Sequence, residues 1–279
     1  MNILDKIIET LVINGSLNEH PGLFYGKTGI AVFFFHYARQ TGNELFQEYA
    51  FDLIEEIQEQ LTTNLSTQYD TGIAGIGSGF EYLLQNNFMD ADNDFFEEFD
   101  ARMCRMALYE TYPDLSLEGG LTGWGRYFIY RLRGKCFINS ELHNSLKHIA
   151  NTITQKIEIN SVSVNEKPDV FRFFHDLTTL PGYMEKYSKS FQLCREWKCI
   201  HNLDFQKIFP YLNGLHRLYI CQNYFNLDLT KEIELEWKKW VESDKTTLTD
   251  TGLLKGCATN GMLYLTFFQG VDSSWLNIL

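Results

Sequence analysis

A turn carrying glycine, followed by a strongly apolar stretch, recurs six times along this chain, and segments with only one apolar stripe lie between the recurrences. The apolar stretches are GKTGIAVFFFHYA (26–38), GIAGIGSGFEYLL (72–84), GLTGWGRYFIYRL (120–132), TLPGYMEKYSKSF (179–191), NGLHRLYICQNYF (213–225) and CATNGMLYLTFF (257–268). They start about 35 to 60 residues apart, the length of one helical hairpin per repeat. Intervening segments such as NELFQEYAFDLIEEIQEQL (43–61) and NSELHNSLKHIANTITQKI (139–157) place apolar residues at i, i+3, i+4 and i+7 with charges opposite. A helix apolar on every side must be buried on every side, whereas a striped one lies outside. The spacing therefore predicts six outer helices, near 2–13, 43–62, 92–110, 139–158, 203–209 and 230–243, around six inner ones. That is an all-α fold, an α/α toroid (barrel) of about six helical hairpins, formed as one domain over residues 1–279. The best strand signal is SVSV at 161–164, before Pro168.

The glycines have a physical reason to stand where inner helices begin. Several turns crowd together at the mouth of a barrel, and glycine permits both positive φ and close backbone approach. The exposed N–H groups of those helix starts would also favour an anion. This makes Gly26, Gly29, Gly72, Gly75, Gly120 and Gly123 candidate cavity residues, although packing alone accounts for them.

Composition narrows the class. Twenty-two Phe and fifteen Tyr against five Pro give enough apolar surface to offset conformational entropy, which argues against disorder. Twenty-four basic and thirty-six acidic side chains leave a formal charge of −12, with no basic run, so nucleic acid and anionic membrane surfaces are poor partners. The longest apolar run, IAVFFF at 30–35, is far short of a membrane span, and no membrane insertion is expected. The N-terminal MNILDKIIETLV reads as an amphipathic helix rather than a signal peptide, which points to the cytoplasm. Six scattered Cys without a CxxC pair then read as small buried apolar residues, and the sequons at Asn14 and Asn64 carry no information.

Through these repeats the sequence resembles the lanthionine synthetase C-like family. Gly22-Leu23-Phe24-Tyr25-Gly26-Lys27-Thr28-Gly29-Ile30 is similar to the family's Gly-Leu-x-x-Gly-x-x-Gly-Ile pattern. Residues 72–100 and 119–132 resemble its second and third repeats, and 252–279 its closing helix and tail. The resemblance implies an α/α toroid in which zinc activates peptide thiols for addition to dehydrated Ser or Thr. Zinc needs deprotonated Cys and neutral His, which the family supplies from a WCYG-type and a CHG-type turn.

The pattern departs where that chemistry would sit. Leu212-Asn213-Gly214 stands in place of Cys-His-Gly. No WCYG-type repeat fits into the roughly 30 residues between Gly182 and Asn213. Thr178 stands where the family's acid/base His would be, and the acidic position before the third repeat falls on Ser116, flanked by Asp114 and Glu118.

Other constellations are weaker. Cys194, Cys199 and His201 could offer soft ligands, and Trp197 before Cys199 is similar to part of a WCYG turn, yet C-x4-C-x-H matches no common zinc knuckle. Cys257 sits at a helix start, a position that lowers a thiol pKa, though a buried inert thiol is the simpler account. His175-Asp176, placed just before the expected fourth inner helix, could transfer protons or could cap that helix. His36 and His216 lie inside apolar helices and read as core or lining residues. Gly75-Ile76-Gly77-Ser78-Gly79 fits neither a dinucleotide fingerprint nor a nucleophile elbow, and the acidic run from Asp90 to Asp100 reads as a solvated face.

The expectation is a zinc-free, non-cyclising partner in the maturation of ribosomally made peptides. It would bind a precursor peptide, and an associated peptide-modifying enzyme, with Thr178, Asn213 and His216 beside the glycine turns. The alternative is a divergent thioether cyclase using Cys199, His201 or Cys257 with zinc, or a metal-free toroid enzyme whose acids are Asp114, Glu118 and Asp176, with His175 beside them. A bland third reading is a structural subunit of a complex.

Overall fold

The computed structural model of the chain describes residues 3–279 apart from 63, 93, 135–138, 198–199, 201–213 and 243–249. Among the described residues it is helical, without a strand. None of its helices is long and apolar enough to cross a membrane. The chain divides into two compact units, residues 1–65 with 210–279, and residues 66–209.

The first unit contains α1 (Ile3–Gly15), α2 (Lys27–Thr41), α3 (Glu44–Gln60), α10 (Gly214–Phe225), α11 (Thr230–Glu242), α12 (Cys257–Gln269) and a 3₁₀ turn (Ser273–Ile278). The striped and all-apolar patterns produce the contrast they imply. Helix α3 buries Ala50, Leu53, Ile54 and Ile57, one stripe at helical spacing, whereas α2 buries every residue from Lys27 to His36. The two helices pack together and are joined by a sharp stop and start. Gly42, at φ +67, closes α2 by donating its N–H to the Ala38 carbonyl, and the Asn43 side chain caps α3 by accepting from the Leu45 N–H. Helix α12 packs on α1 and α2, with Gly261 in α12 letting the Phe33 ring of α2 sit where a Cβ would be. The closing 3₁₀ turn is a packed element. Trp275 is fully buried, donates its indole N–H to Thr266 Oγ1 (3.0 Å) and stacks on His216, ring centroids 5.8 Å apart.

The second unit contains α4 (Ile73–Gln85), α5 (Glu97–Tyr109), α6 (Leu121–Arg133), α7 (Ser140–Glu158), α8 (Lys167–Leu177) and α9 (Met184–Arg195). Helix α6 is buried along its length and packs against α4, α5, α7 and α8. The striped helix α7 is capped by Asn139, whose side chain accepts from the Glu141 and Leu142 N–H groups, and its apolar row runs Leu142, Leu146, Ile149, Ile153, Ile157.

The fourth repeat differs from the expectation. The all-round buried helix is α8, over residues 167–177, not 179–191. Residues 184–195 form α9, which buries only Tyr187, Ser190 and Cys194 and so has the character of an outer helix. Gly182 starts no inner helix. With φ +80 after Pro181, and the Tyr183 N–H donating to the Leu180 carbonyl (3.2 Å), it forms a proline-glycine reverse turn. The SVSV segment leaves α7 as a turn, with the Ser161 N–H donating to the Lys156 carbonyl (2.9 Å), and forms no strand. The outer helix expected at 203–209 lies outside the described residues.

Candidate functional site

Four of the glycine turns are built alike. Gly26, Gly72, Gly120 and Gly256 are the N-caps of α2, α4, α6 and α12, with φ of −122, −113, −104 and −104° and ψ near −165° throughout. In each, the residue after the glycine donates its N–H to the carbonyl seven residues earlier: Lys27 to His20 (2.8 Å), Ile73 to Ser66 (2.8 Å), Leu121 to Asp114 (3.1 Å), and Cys257 to Asp250 (2.7 Å). That carbonyl is why the residue is glycine. A Cβ there would lie 2.2 Å from the oxygen of His20 at position 26, 2.2 Å from Ser66 at 72, 2.5 Å from Asp114 at 120 and 2.5 Å from Asp250 at 256. Thr28, Thr122 and Thr259 add hydroxyl donors to the carbonyls of Pro21, Leu115 and Gly252.

These bonds change what the turns can offer a ligand. The first N–H groups of the four helices, open to an anion in the sequence reading, point at carbonyls of their own loops. Gly26, Gly29, Gly72, Gly75, Gly120 and Gly123 are all buried, and a Cβ at Gly29 or Gly123 would strike the Leu23 or Leu117 carbonyl. His216 is fully buried beneath Trp275, and Thr178 is buried with its hydroxyl on the His175 carbonyl (2.9 Å). Asn213 lies outside the described residues.

The acidic candidates hold separate posts. Asp114 is exposed, and its Oδ1 accepts from both the N–H (2.8 Å) and the hydroxyl (2.6 Å) of Ser116. Glu118 is half-buried, and its carbonyl accepts from the Tyr69 and Asp70 N–H groups, tying the loop before α6 to the loop before α4.

His175 and Asp176 do form a pair, at the C-terminal end of α8 and not ahead of an inner helix. The buried Asp176 carboxylate accepts from Arg126 Nη2 (3.0 Å) and faces His175 Nδ1 (3.2 Å) and Arg133 Nη2 (3.7 Å). Burial disfavours its charge, but the hydrogen bond from His175 and the guanidinium groups of Arg126 and Arg133 outweigh burial and hold the carboxyl well below the usual range. Asp176 therefore stays ionised and orients His175, whose ring is about one-third exposed.

Sequence reading missed the arginines. On α6, Arg126 meets Asp176, and Arg131 makes a two-pronged contact to Asp100 of α5 (3.0 and 2.8 Å) and a further bond to Glu81 of α4. Tyr127 donates to the same Asp100 (2.6 Å), and the Arg131 guanidinium lies 3.7 Å from the Phe96 ring centroid. The available signal was a set of charges inside helices with no wet face to put them on: Glu81, Arg126 and Arg131.

For zinc, the described residues offer a poor fit. Nowhere among them do three or more His, Cys, Asp or Glu side chains come together as ligands. Cys257 is 1% exposed, and burial, reinforced by Asp250, pushes its thiol up to about 11, the opposite of the lowering its helix start suggests. Cys194 is fully buried and its thiol is pushed up likewise. Cys199 and His201 lie outside the described residues. No protein-family model and no curated protein matches this sequence.

Proposed function

We infer that the protein is a lanthionine synthetase C-like α/α toroid that binds a ribosomally made precursor peptide and does not itself close thioether rings. The observation that carries this reading is the glycine turn built four times with one hydrogen bond and one steric reason, since a turn repeated so closely supports a repeat-built ring of six helical hairpins. The substitution of Leu212 and Asn213 for the family's Cys and His supports the absence of cyclase chemistry, and the raised thiol of Cys257 supports it again. Without activated thiols, what such a fold can contribute is binding, to the peptide and to the enzyme that modifies it.

The test uses the full chain and a dehydrated, cysteine-bearing precursor peptide. Fluorescence anisotropy should show saturable binding, the peptide thiol should stay open to alkylation, and elemental analysis should find less than one zinc per chain. Stoichiometric zinc with loss of the alkylatable thiol overturns the non-cyclising reading, and absence of binding overturns the peptide-binding one.

One observation favours an enzymatic alternative, the partly exposed His175 held through Nδ1 by an ionised Asp176. A carboxylate in that position orients the imidazole ring for proton transfer. Activity that survives both His175→Ala and Asp176→Asn rejects it.

A further inference from the structure

A groove of about 430 Å³ runs along the N-terminal half of α7, lined by Ser140, His143, Asn144 and Lys147 and faced by Pro181 and Tyr183 of the turn before α9. Ser140, Asn144 and Lys147 fall at i, i+4 and i+7, so their polar groups share one face of the helix. The opposite wall is rigid. Tyr183 is buried, its hydroxyl lies 2.8 Å from His143 Nδ1, and the two rings stack 5.8 Å apart. Tyr187 stacks beneath Tyr183, and its hydroxyl is held by Asn151 Oδ1 (3.0 Å) and the Lys147 carbonyl (3.4 Å). Among the described residues Lys147 forms no ion pair.

We propose that this groove is a binding site for a carboxylate carrying a small apolar substituent. The fixed charge of its lining is the single ammonium of Lys147, which balances one negative charge, with the Asn144 amide and the Ser140 hydroxyl as neutral donors. A dianion such as phosphate is disfavoured, because a chain of net charge −12 offers only one cation there. The exposed Pro181 ring, held in place by the buried Tyr183 next to it, supplies the apolar wall for the substituent, and the volume suits a small molecule or a chain end. The preset His143–Tyr183 pair means that this wall is not ordered at the ligand's expense. The groove's chemistry stands whether or not the protein binds a precursor peptide.

The carboxylate can come from a free small acid or from the C-terminus of a peptide. Amide spectra of the ¹⁵N-labelled full chain, titrated with N-acetylvaline, N-acetylvalinamide and isobutyrate, distinguish them. N-acetylvaline should shift the Asn144 and Gly182 resonances saturably in the millimolar range, and the uncharged amide should not. Lys147→Gln, a change at an exposed position, should weaken binding by about tenfold, the loss that accompanies one charge-assisted hydrogen bond. Isobutyrate binding as well as N-acetylvaline assigns the site to free acids, and tighter binding of N-acetylvaline assigns it to peptide ends. The proposal is overturned by no saturable shift at about 50 mM ligand, by equal shifts from the amide, or by unchanged binding in Lys147→Gln.

Discussion

Arg126 and Asp176 lie 3.0 Å apart on α6 and α8, each almost wholly shielded from water, so removing either charge leaves the other buried without this partner. Breaking one side of a buried pair costs about 3 to 5 kcal/mol, most of it the desolvation of the charge left behind. Here Arg133 and His175 also face Asp176 and soften that loss. Arg126→Met should therefore lower stability by about 3 kcal/mol in urea unfolding. Arg126→Met combined with Asp176→Leu should cost less than the single change, because no buried carboxylate remains. A single variant within about 0.5 kcal/mol of the parent protein contradicts the pairing.

The glycine turns make a steric prediction that can be separated from backbone strain. Gly72→Ala drives a Cβ to 2.2 Å from the Ser66 carbonyl and 2.8 Å from the Gln68 nitrogen, and both are backbone atoms that cannot swing aside. Gly42 is the control: its φ is +67, but nothing lies within 4 Å of the added atom. Gly42→Ala should cost about 1 kcal/mol, the price of a left-handed conformation, while Gly72→Ala should cost at least twice that and lower the melting temperature by several degrees more. Equal losses would show that conformation, not contact, selects the glycines.

His36 gives the first unit an acid-sensitive point. Burial, with help from Arg39 and against the pull of Asp272, lowers its pKa from 6.5 to about 3. The unfolded chain takes up a proton on this ring near pH 6.5, and the folded chain refuses it until about pH 3. In that window the unfolded state binds more protons, so stability falls as the pH falls. His36→Gln removes the titration, so its stability relative to the parent protein should rise by roughly 3 kcal/mol between pH 7 and pH 4. Parallel curves for the two proteins across that range would exclude a buried neutral His36.

How far the sequence reveals this fold depends on where each charge is satisfied. Helices α2, α4 and α6 are recognisable because their glycine turns and apolar runs coincide. Helix α8 is hidden by its own polar residues. Lys167, Asp169, Arg172, His175 and Asp176 break up the apolar pattern of 167–177, so the inner helix is expected at 179–191, yet Asp169 accepts the Leu117 N–H (3.0 Å) and Asp176 meets Arg126, so these acids face inward. Periodicity counts a charge as an outward residue and has no way to see a partner fifty residues away. Gly182 misleads for the opposite reason. It stands ahead of an aromatic-bearing stretch as a helix-entry glycine does, but Pro181 before it marks a reverse turn, and its positive φ confirms that. The His175–Asp176 pair could be noticed from adjacency, but the charge of Asp176 rests on Arg126 and Arg133 of α6 as well as on the His175 hydrogen bond, and adjacency does not reveal the arginines.

Cys257 connects this legibility to the proposed function. Its position at the start of α12 resembles an activated thiol, but it is 1% exposed and burial places its pKa at about 11. At pH 7.5 roughly one molecule in a few thousand then carries the thiolate, the form that alkylates and binds metal. Native protein treated with iodoacetamide at that pH should leave the peptide containing Cys257 unmodified in mass spectra, and the same treatment in urea should modify it fully. Labelling of the folded chain at the rate of a free cysteine would restore Cys257 as a candidate ligand or nucleophile and count against a purely binding role. Protection lost only on unfolding would instead make the thiol a packed side chain of the α12 entry turn, where its N–H already serves the Asp250 carbonyl.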